Sequence, residues 1–170
     1  LAGRSDARSR VDFSNLDAYT TWTATDNILV ETDDNQVITG LKSAFDCLYV
    51  FKTESIHRIC GRDRDNLRLE QMVAGVGAAS NNAIQVVNNR FMFLTSQGEI
   101  ALYDGGINIE FISAKIEGTL TAFNRDRFDQ AVAVAFDDGT GDEDYYLSLS
   151  SSGNATHNRI LLFDTFHRAW

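Results

Sequence analysis

Cys47-Leu-Tyr-Val-Phe-Lys-Thr-Glu-Ser-Ile-His-Arg-Ile-Cys-Gly61 is the stretch that decides the fold. It holds two short runs rich in β-branched and aromatic residues, 48–51 and 56–59, on either side of the polar residues 52–55. This pattern is typical of a β-hairpin with a four-residue loop. We therefore predict two paired strands, with residues 52–55 as an exposed rim loop.

The same design returns in residues 89–105, and Phe91 lies 43 residues after Leu48. A repeat of about 40 to 50 residues that is built from strands is typical of a propeller blade. We therefore predict an all-β fold, an antiparallel β-propeller-like array of about three to four blade units. The whole of 1–170 is interpreted as one propeller segment, with blade-like units at about 11–61, 67–105 and 127–164.

The connections between these units carry weaker signals. Residues 27–31 and 36–39 flank an Asp- and Asn-rich turn, so we predict that they form a hairpin with each other. Residues 127–136 alternate as a strand does. Periodicity leaves residues 114–120 open between a short helix and an extended connection.

Composition limits the classes of function. Hydrophobic residues make up 44% of the chain and aromatic residues 11%, as in a globular protein. The net charge of −9 argues against sequence-specific nucleic-acid binding, because that requires clustered Lys and Arg. No apolar run approaches the roughly 20 residues of a membrane-spanning helix. The ends of the chain lie in strand-like sequence, so we interpret it as a segment of a longer protein that is completed by more chain or by a partner.

Two cysteines, Cys47 and Cys60, face each other in the register that pairs Phe51 with Ile56. A cross-strand disulfide is geometrically conceivable in that register. Buried free thiols in a reduced setting are nevertheless the expected state.

The acidic loop 137–144 contains the metal-ligand candidates Asp138, Asp142 and Asp144, whose oxygens suit calcium. The loop lacks the bidentate glutamate of an EF-hand, because position 12 counted from Asp138 is Leu149. A hairpin turn supported by local hydrogen bonds is therefore favoured over a metal site.

The three histidines, His57, His157 and His167, belong to no catalytic sequence pattern. We expect structural or surface roles for them. No catalytic residue, cofactor-binding residue or cofactor is predicted, and the chain is interpreted as a protein without enzymatic activity.

Four stretches carry a resemblance to a known group of proteins: residues 10–22, 48–59, 91–105, and 159–164 followed by Arg168-Ala-Trp170. With their Lys52-Thr-Glu-Ser55 and Ser96-Gln-Gly98 turns, they resemble successive blades of the β-propeller virion proteins of tailed bacteriophages, those of tail hubs, nozzles and stoppers. The chain departs from that pattern in having no proline.

The resemblance implies a structural component of a bacteriophage tail or neck that retains or delivers the genome. It implies contacts with other copies in a ring and with other tail or neck proteins, in a virion assembled in the host cytoplasm. An acidic wall suits a DNA conduit because it repels phosphate. The alternative is a carbohydrate-binding or carbohydrate-active β-propeller that recognises host glycans. A cellular WD40- or kelch-like scaffold is a third interpretation, but the repeated marks of those families are missing.

Overall fold

The computed structural model describes residues 2–4, 7–15, 18–137, 139 and 141–170, and its strands form four antiparallel sheets. Sheet I contains β1 (Ala2–Arg4), β2 (Ala7–Asp12) and β3 (Asn27–Leu29). Sheet II contains β4 (Ile38–Ala44), β5 (Cys47–Lys52), β6 (Ser55–Cys60) and β7 (Arg68–Ala74). Sheet III contains β8 (Gln85–Val87), β9 (Arg90–Leu94), β10 (Ile100–Tyr103) and β11 (Ile109–Phe111). Sheet IV contains β12 (Val132–Asp137), β13 (Glu143–Leu149) and β14 (Arg159–Phe163).

In every sheet the neighbouring strands follow one another along the chain, and none of the four sheets closes on itself. The predicted all-β, antiparallel class is confirmed. The described helical segments are short: α1 (Glu117–Leu120) and 3₁₀ turns at Thr32–Asp34, Arg64–Asn66, Asn81–Ala83, Ala114–Ile116 and Arg125–Gln130. The stretch 114–120, which periodicity left open, is therefore helical.

The sheets pack against one another in chain order, through three separate hydrophobic cores. Val11, Val30, Val50 and Ile59 are buried between sheets I and II. An aromatic core fills the space between sheets II and III, and a third core lies between sheets III and IV. Each internal sheet is thus covered on both faces.

The position of strand β5 between two hydrophobic cores explains why its sequence is apolar almost throughout. Successive side chains of a strand point to opposite faces. Val50 packs toward sheet I, whereas Tyr49 and Phe51 pack toward sheet III, and all three are essentially inaccessible to solvent. A strand buried on both faces needs apolar residues at every position, and 48–51 supplies them.

Buried tyrosines and a tryptophan tie neighbouring layers together with hydrogen bonds. The Tyr49 hydroxyl donates to the carbonyl oxygen of Gly105 at 3.1 Å, and the Tyr145 hydroxyl donates to that of Ala83 at 2.7 Å. Trp170 Nε1 donates to the carbonyl oxygen of Ile112 at 2.8 Å. Each ring contributes apolar area to a core while its polar atom is satisfied.

The prediction of an exposed rim loop at residues 52–55 is wrong at both ends. Lys52 and Ser55 belong to β5 and β6, and their exposed fractions are 0% and 1%. Only residues 53 and 54 connect the strands. A run of polar residues is normally expected to face solvent, but here the side chains of Lys52 and Ser55 are buried with hydrogen-bond partners.

The expectation of free thiols is also wrong, because Cys47 and Cys60 form a disulfide with their Cα atoms 4.6 Å apart. The predicted register, which made a disulfide conceivable, was correct: Cys47 pairs with Cys60 and Phe51 with Ile56. Directly opposed cysteines on neighbouring antiparallel strands lie within the range that a disulfide spans.

The predicted hairpin between 27–31 and 36–39 does not form. β3 pairs with β2, and β4 pairs with β5, so the turn joins sheet I to sheet II. The limits of the predicted blade-like units also differ from those of the sheets. β7 pairs with β6 and belongs to sheet II, whereas the prediction placed it in the unit 67–105. Turn chemistry locates a reversal of the chain, but it does not say which strands then pair.

Candidate functional site: an exposed apolar sheet face and a buried polar junction

The outer face of sheet IV, which points away from sheet III, carries large apolar side chains in contact with solvent. Its members are Val132, Val134 and Phe136 on β12 and Ile160 and Leu162 on β14, with exposed fractions between 41% and 68%. Tyr146 and Ser148 of β13 lie between these rows, because Tyr146 pairs with both Val134 and Leu162 and Ser148 pairs with both Val132 and Ile160.

The sequence of β12, Val132-Ala-Val-Ala-Phe136, produces this face by simple alternation. The small Ala133 points inward and is 7% exposed, while Val134 and Phe136 point outward and are each 54% exposed. The Phe136 ring meets that of Tyr146 edge to face, with centroids 6.3 Å apart. In a sheet with one solvated face, the outward positions would be polar. β12 instead has the apolar pattern of a strand covered on both sides.

The outer face of sheet I has the opposite character. Arg8, Arg10 and Asp12 alternate with the inward Ser9 and Val11 along β2. Arg10 Nε lies 2.9 Å from Asp12 Oδ1, in an ion pair of half-buried side chains. This face therefore carries charged side chains beside the exposed Leu29, which pairs with Arg10, whereas the outward positions of β12 and β14 are all apolar.

Of the three metal-ligand candidates, the structure describes Asp142 and Asp144, whereas Asp138 lies outside the described residues. Asp144 Oδ1 accepts a hydrogen bond from the backbone N–H of Thr165 at 3.3 Å, which ties β13 to the segment after β14. Asp137 Oδ1 accepts one from the backbone N–H of Gly139 at 2.7 Å, as an aspartate in a turn does. Among the residues that the structure describes, no group of three or more His, Cys, Asp or Glu side chains could hold a metal ion.

A polar cluster, here called the polar junction, joins sheets I and II through the buried Lys52, Ser55 and His57 and the more exposed Glu31 and Asp34. The Lys52 ammonium donates to the carbonyl oxygens of Val30 at 2.9 Å and Glu31 at 2.7 Å. It also donates to Asp34 Oδ2 at 2.6 Å. All three donors of the ammonium are satisfied, as burial of a charge requires.

His57 lies in the same cluster, is 1% exposed, and its Nε2 is 3.0 Å from Ser55 Oγ. The nearest carboxylate oxygen, Glu31 Oε2, approaches that same nitrogen at 3.8 Å. A catalytic triad needs the nucleophile at one ring nitrogen and the acid at the other. The three side chains therefore do not form a triad, although all three residue types are present.

Burial lowers the pKa of His57 below its ordinary value, and the nearby Lys52 charge acts in the same direction against the opposing effect of Glu31. Burial alone would raise the pKa of Asp34. The hydrogen bonds from Lys52 and from the backbone N–H of Gln36 outweigh burial, and the pKa is lowered. The polar junction therefore favours a neutral histidine beside a lysine–aspartate ion pair.

The other two histidines lie away from the polar junction. His157 is half-buried in the loop before β14. His167 Nδ1 lies 2.7 Å from Asp164 Oδ2 at the surface, within the turn that follows β14. The structure thus brings none of the predicted candidates into one catalytic constellation.

A groove between sheets I and II contains two adjoining cavities of about 430 and 370 Å³, which share Phe13, Gly61 and Leu67 in their walls. Asp26 lines the larger cavity and is 3% exposed. Arg64 Nη1 lies 2.7 Å from Asp26 Oδ1 at the mouth. The walls combine one aromatic ring with charged and amide side chains, a mixed lining that can accept a polar ligand.

Sequence reasoning missed both the outer face of sheet IV and the buried state of Lys52. The outer face of sheet IV could have been found from the sequence, because Val132-Ala-Val-Ala-Phe136 has no polar residue at any of its five positions. The burial of Lys52 had no signal in the nearby sequence, since the three acceptors of its ammonium lie 18 to 22 residues away in the segment after β3.

A scan of the chain against protein-family models gives no match, and no curated protein matches it significantly. No helix within the described part of the chain is long and apolar enough to cross a membrane.

Proposed function

We propose that this chain is a structural component of a protein assembly, without enzymatic activity, that acts through protein–protein contacts. The observation that carries the proposal is the outer face of sheet IV. Contiguous exposed apolar area of this kind is typical of an interaction surface on a folded protein. Sheets II and III, which have the same apolar strands, are covered on both faces.

The proposed architecture is a β-propeller segment. Four consecutive antiparallel meanders that pack in chain order support it, because propeller blades are sheets of this type arranged by repetition. The bare face of sheet IV then corresponds to the position of a following blade or partner.

The proposed assembly is a bacteriophage tail or neck, in which the chain would help to retain or deliver the genome in the virion. The sequence resemblance to phage propeller proteins supports this step, and the net charge of −9 is compatible with a DNA conduit that repels phosphate. The proposed partners are other tail or neck proteins and further copies of the chain in a ring.

Co-purification with the protein products of the neighbouring genes tests the proposal. We expect at least one such product, of the tail or neck type, to form a stable complex with the wild-type chain. Val134→Lys should abolish the complex, whereas Ile107→Lys should retain it, because Ile107 is 75% exposed and lies outside sheet IV. Absence of any complex, or equal binding by both variants, would contradict the proposal.

The second candidate function is carbohydrate binding or hydrolysis, and the groove between sheets I and II is the observation that favours it. Asp26 would be the buried carboxylate and Phe13 the aromatic surface against a sugar ring. Glycan-array binding or release of reducing sugar that disappears in Asp26→Asn would support this function. Wild-type protein without either activity would exclude it.

A further inference from the structure

We infer that the groove between sheets I and II binds a small organic cation: a primary ammonium ion joined to an apolar body. The groove consists of the two adjoining cavities of about 430 and 370 Å³, each within the size range of small-molecule sites. A structural role in an assembly does not require such a ligand, so the inference goes beyond the proposed function. It differs from the carbohydrate alternative in the charge of the ligand.

Asp26 provides the anchor for the ammonium ion. This residue lines the larger cavity and is 3% exposed. Its Oδ1 atom is buried and, among the residues that the structure describes, no N–H or O–H donates a hydrogen bond to it. Arg64 Nη1 approaches Oδ1 at 2.7 Å, in an ion pair without hydrogen-bond geometry. A buried carboxylate oxygen normally accepts hydrogen bonds, so this one points to a ligand that supplies an N–H donor.

Arg64 is a counter-ion that the ligand can displace. It begins the short 3₁₀ turn Arg64–Asn66, and its side chain is 59% exposed. An arginine this exposed can return to water at little cost, because a surface ion pair contributes little to stability. Its departure would leave the Asp26 charge buried and unpaired, so the ligand that replaces it must itself be a cation. A neutral sugar cannot replace Arg64 on these terms.

The remaining charges of the groove also favour a cation over an anion. Arg62 and Asp63 both line the larger cavity, so their charges offset each other. Asp46 lines the smaller cavity, and no Lys or Arg is among the described residues of that wall. The chain as a whole carries a net charge of −9, which raises the local concentration of cations.

The smaller cavity suits the apolar body of the ligand. Val11 and Ile59 in its wall are buried, with exposed fractions of 4% and 6%. Ile28, Leu48 and Leu67 add further aliphatic area, and Phe13 and Leu67 belong to both cavities. A ligand whose ammonium ion pairs with Asp26 can therefore extend past Phe13 into an apolar space. Removal of its apolar surface from water adds to the affinity, while the ion pair fixes its orientation.

NMR titration of the 170-residue chain with 2-phenylethylamine, which is a cation at pH 7, tests the inference. We expect saturable shifts of the amide signals of Phe13, Gly61 and Leu67, and none at Val134 in sheet IV. The matched probes are 2-phenylethanol, phenylacetate and methyl glucoside. The amine should bind at least about 10-fold more tightly than 2-phenylethanol, because hydrogen bonds between charged groups are the stronger ones. Phenylacetate should not bind.

Two substitutions should change the affinity for the amine in opposite directions. Asp26→Asn should weaken binding at least about 10-fold, since it removes the charge of the anchor. Arg64→Gln should tighten binding by about 2- to 5-fold, the effect of one partly exposed ion pair, because the amine no longer competes with the guanidinium group. Arg125→Gln, at an exposed arginine next to sheet IV, is the control and should leave binding unchanged. Circular dichroism checks that each variant is folded.

Several results would overturn the inference. Tighter binding of 2-phenylethanol, methyl glucoside or phenylacetate than of the amine would assign the groove to a different class of ligand. No saturable shift with amine up to about 10 mM would exclude the site. Unchanged binding in folded Asp26→Asn would exclude the anchor. If Asp26→Asn does not fold, Arg64→Gln decides, and unchanged or weaker binding there overturns the inference. The complex with neighbouring gene products does not depend on the groove, so it remains the separate test of the proposed function.

Discussion

The two ends of the sheet array are built on different physical principles. Sheet I exposes a charged outer face and is held to sheet II by a small aliphatic core together with the polar junction. Sheet IV is held to sheet III by a larger apolar core and exposes a second apolar face. The described outer face of the first end carries charged side chains along β2, whereas the second has an apolar face of the kind that is covered in the interior. The difference teaches that a strand pattern typical of a core can also lie at an exposed surface.

The largest expected effect on stability comes from truncating an aromatic side chain that is buried between two sheets, compared with one on the exposed face. Phe91 is fully buried and contacts the rings of Tyr49, Phe51 and Tyr103. Phe91→Ala should lower the free energy of unfolding by about 3 to 5 kcal/mol, because it leaves a cavity. The matched change Phe136→Ala should cost less than about 1 kcal/mol. Urea unfolding of the two variants measures both losses, and equal losses would show that the Phe136 side chain is covered within the chain.

The disulfide of sheet II should have the next largest effect. It closes a loop of 13 residues in sequence separation, so the double variant Cys47→Ser/Cys60→Ser should be destabilised by about 3 kcal/mol. A reducing agent should destabilise the wild type by a similar amount and leave the double variant unchanged. If the reducing agent has no effect on the wild type, the cysteines are free thiols as the sequence led us to expect.

Lys52 tests whether the polar junction holds sheet I in place. Lys52→Met removes three hydrogen bonds, and the partly exposed Asp34 can recover water, so we expect a loss of about 1 to 3 kcal/mol. Hydrogen exchange should accelerate in β2 and β3 and stay slow in β9 and β10. Lys42→Met, another lysine of sheet II, is the control and should leave exchange unchanged. Uniform acceleration in all four sheets would mean that the array unfolds as one unit.

His57 should give the smallest effect, seen as a pH dependence. Its pKa is lowered in the folded state, so the unfolded chain binds the proton first as pH falls below about 6.5. Stability should therefore decrease from pH 7.5 toward pH 5, with a slope of at most about 1.4 kcal/mol per pH unit. Asp34 stays ionised in this range because its own pKa is lowered.

The control for this pH dependence is a histidine outside the polar junction. His57→Gln should flatten the slope, whereas His157→Gln, in the loop before β14, should keep it. A slope that is unchanged in His57→Gln would show that His57 is not its source.

Local patterns predicted a substantial part of the fold. Alternation and turn residues located the strands around 48–51, 56–59 and 91–94, and the register that opposes Cys47 and Cys60 was correct. These features depend on neighbours along one hairpin, so the nearby sequence is sufficient. The division into sheets was less accurate, because β3 and β4 flank a turn and yet pair with different partners.

The candidate site was harder to predict than the fold. Asp142 and Asp144 attracted attention as oxygen ligands, but Asp144 supports a backbone N–H, and the described carboxylates do not gather into a metal site. Lys52 was assigned to a solvated loop because a lysine between polar residues is usually exposed. Its burial depends on the carbonyl groups of the 30–31 segment, which only the packing of sheet I on sheet II brings near.

The sequence by itself determined the class of the chain: antiparallel strands, short turns, and too few polar outward positions for free-standing sheets. Alternation, turn chemistry and apolar content depend on a few neighbouring residues, so they can be recognised in the sequence alone. Only the tertiary structure decided which apolar strand faces are covered and which one is bare. That outcome depends on the stacking order of whole sheets, in which a continuous run of apolar residues forms a core at β9 and an exposed surface at β12.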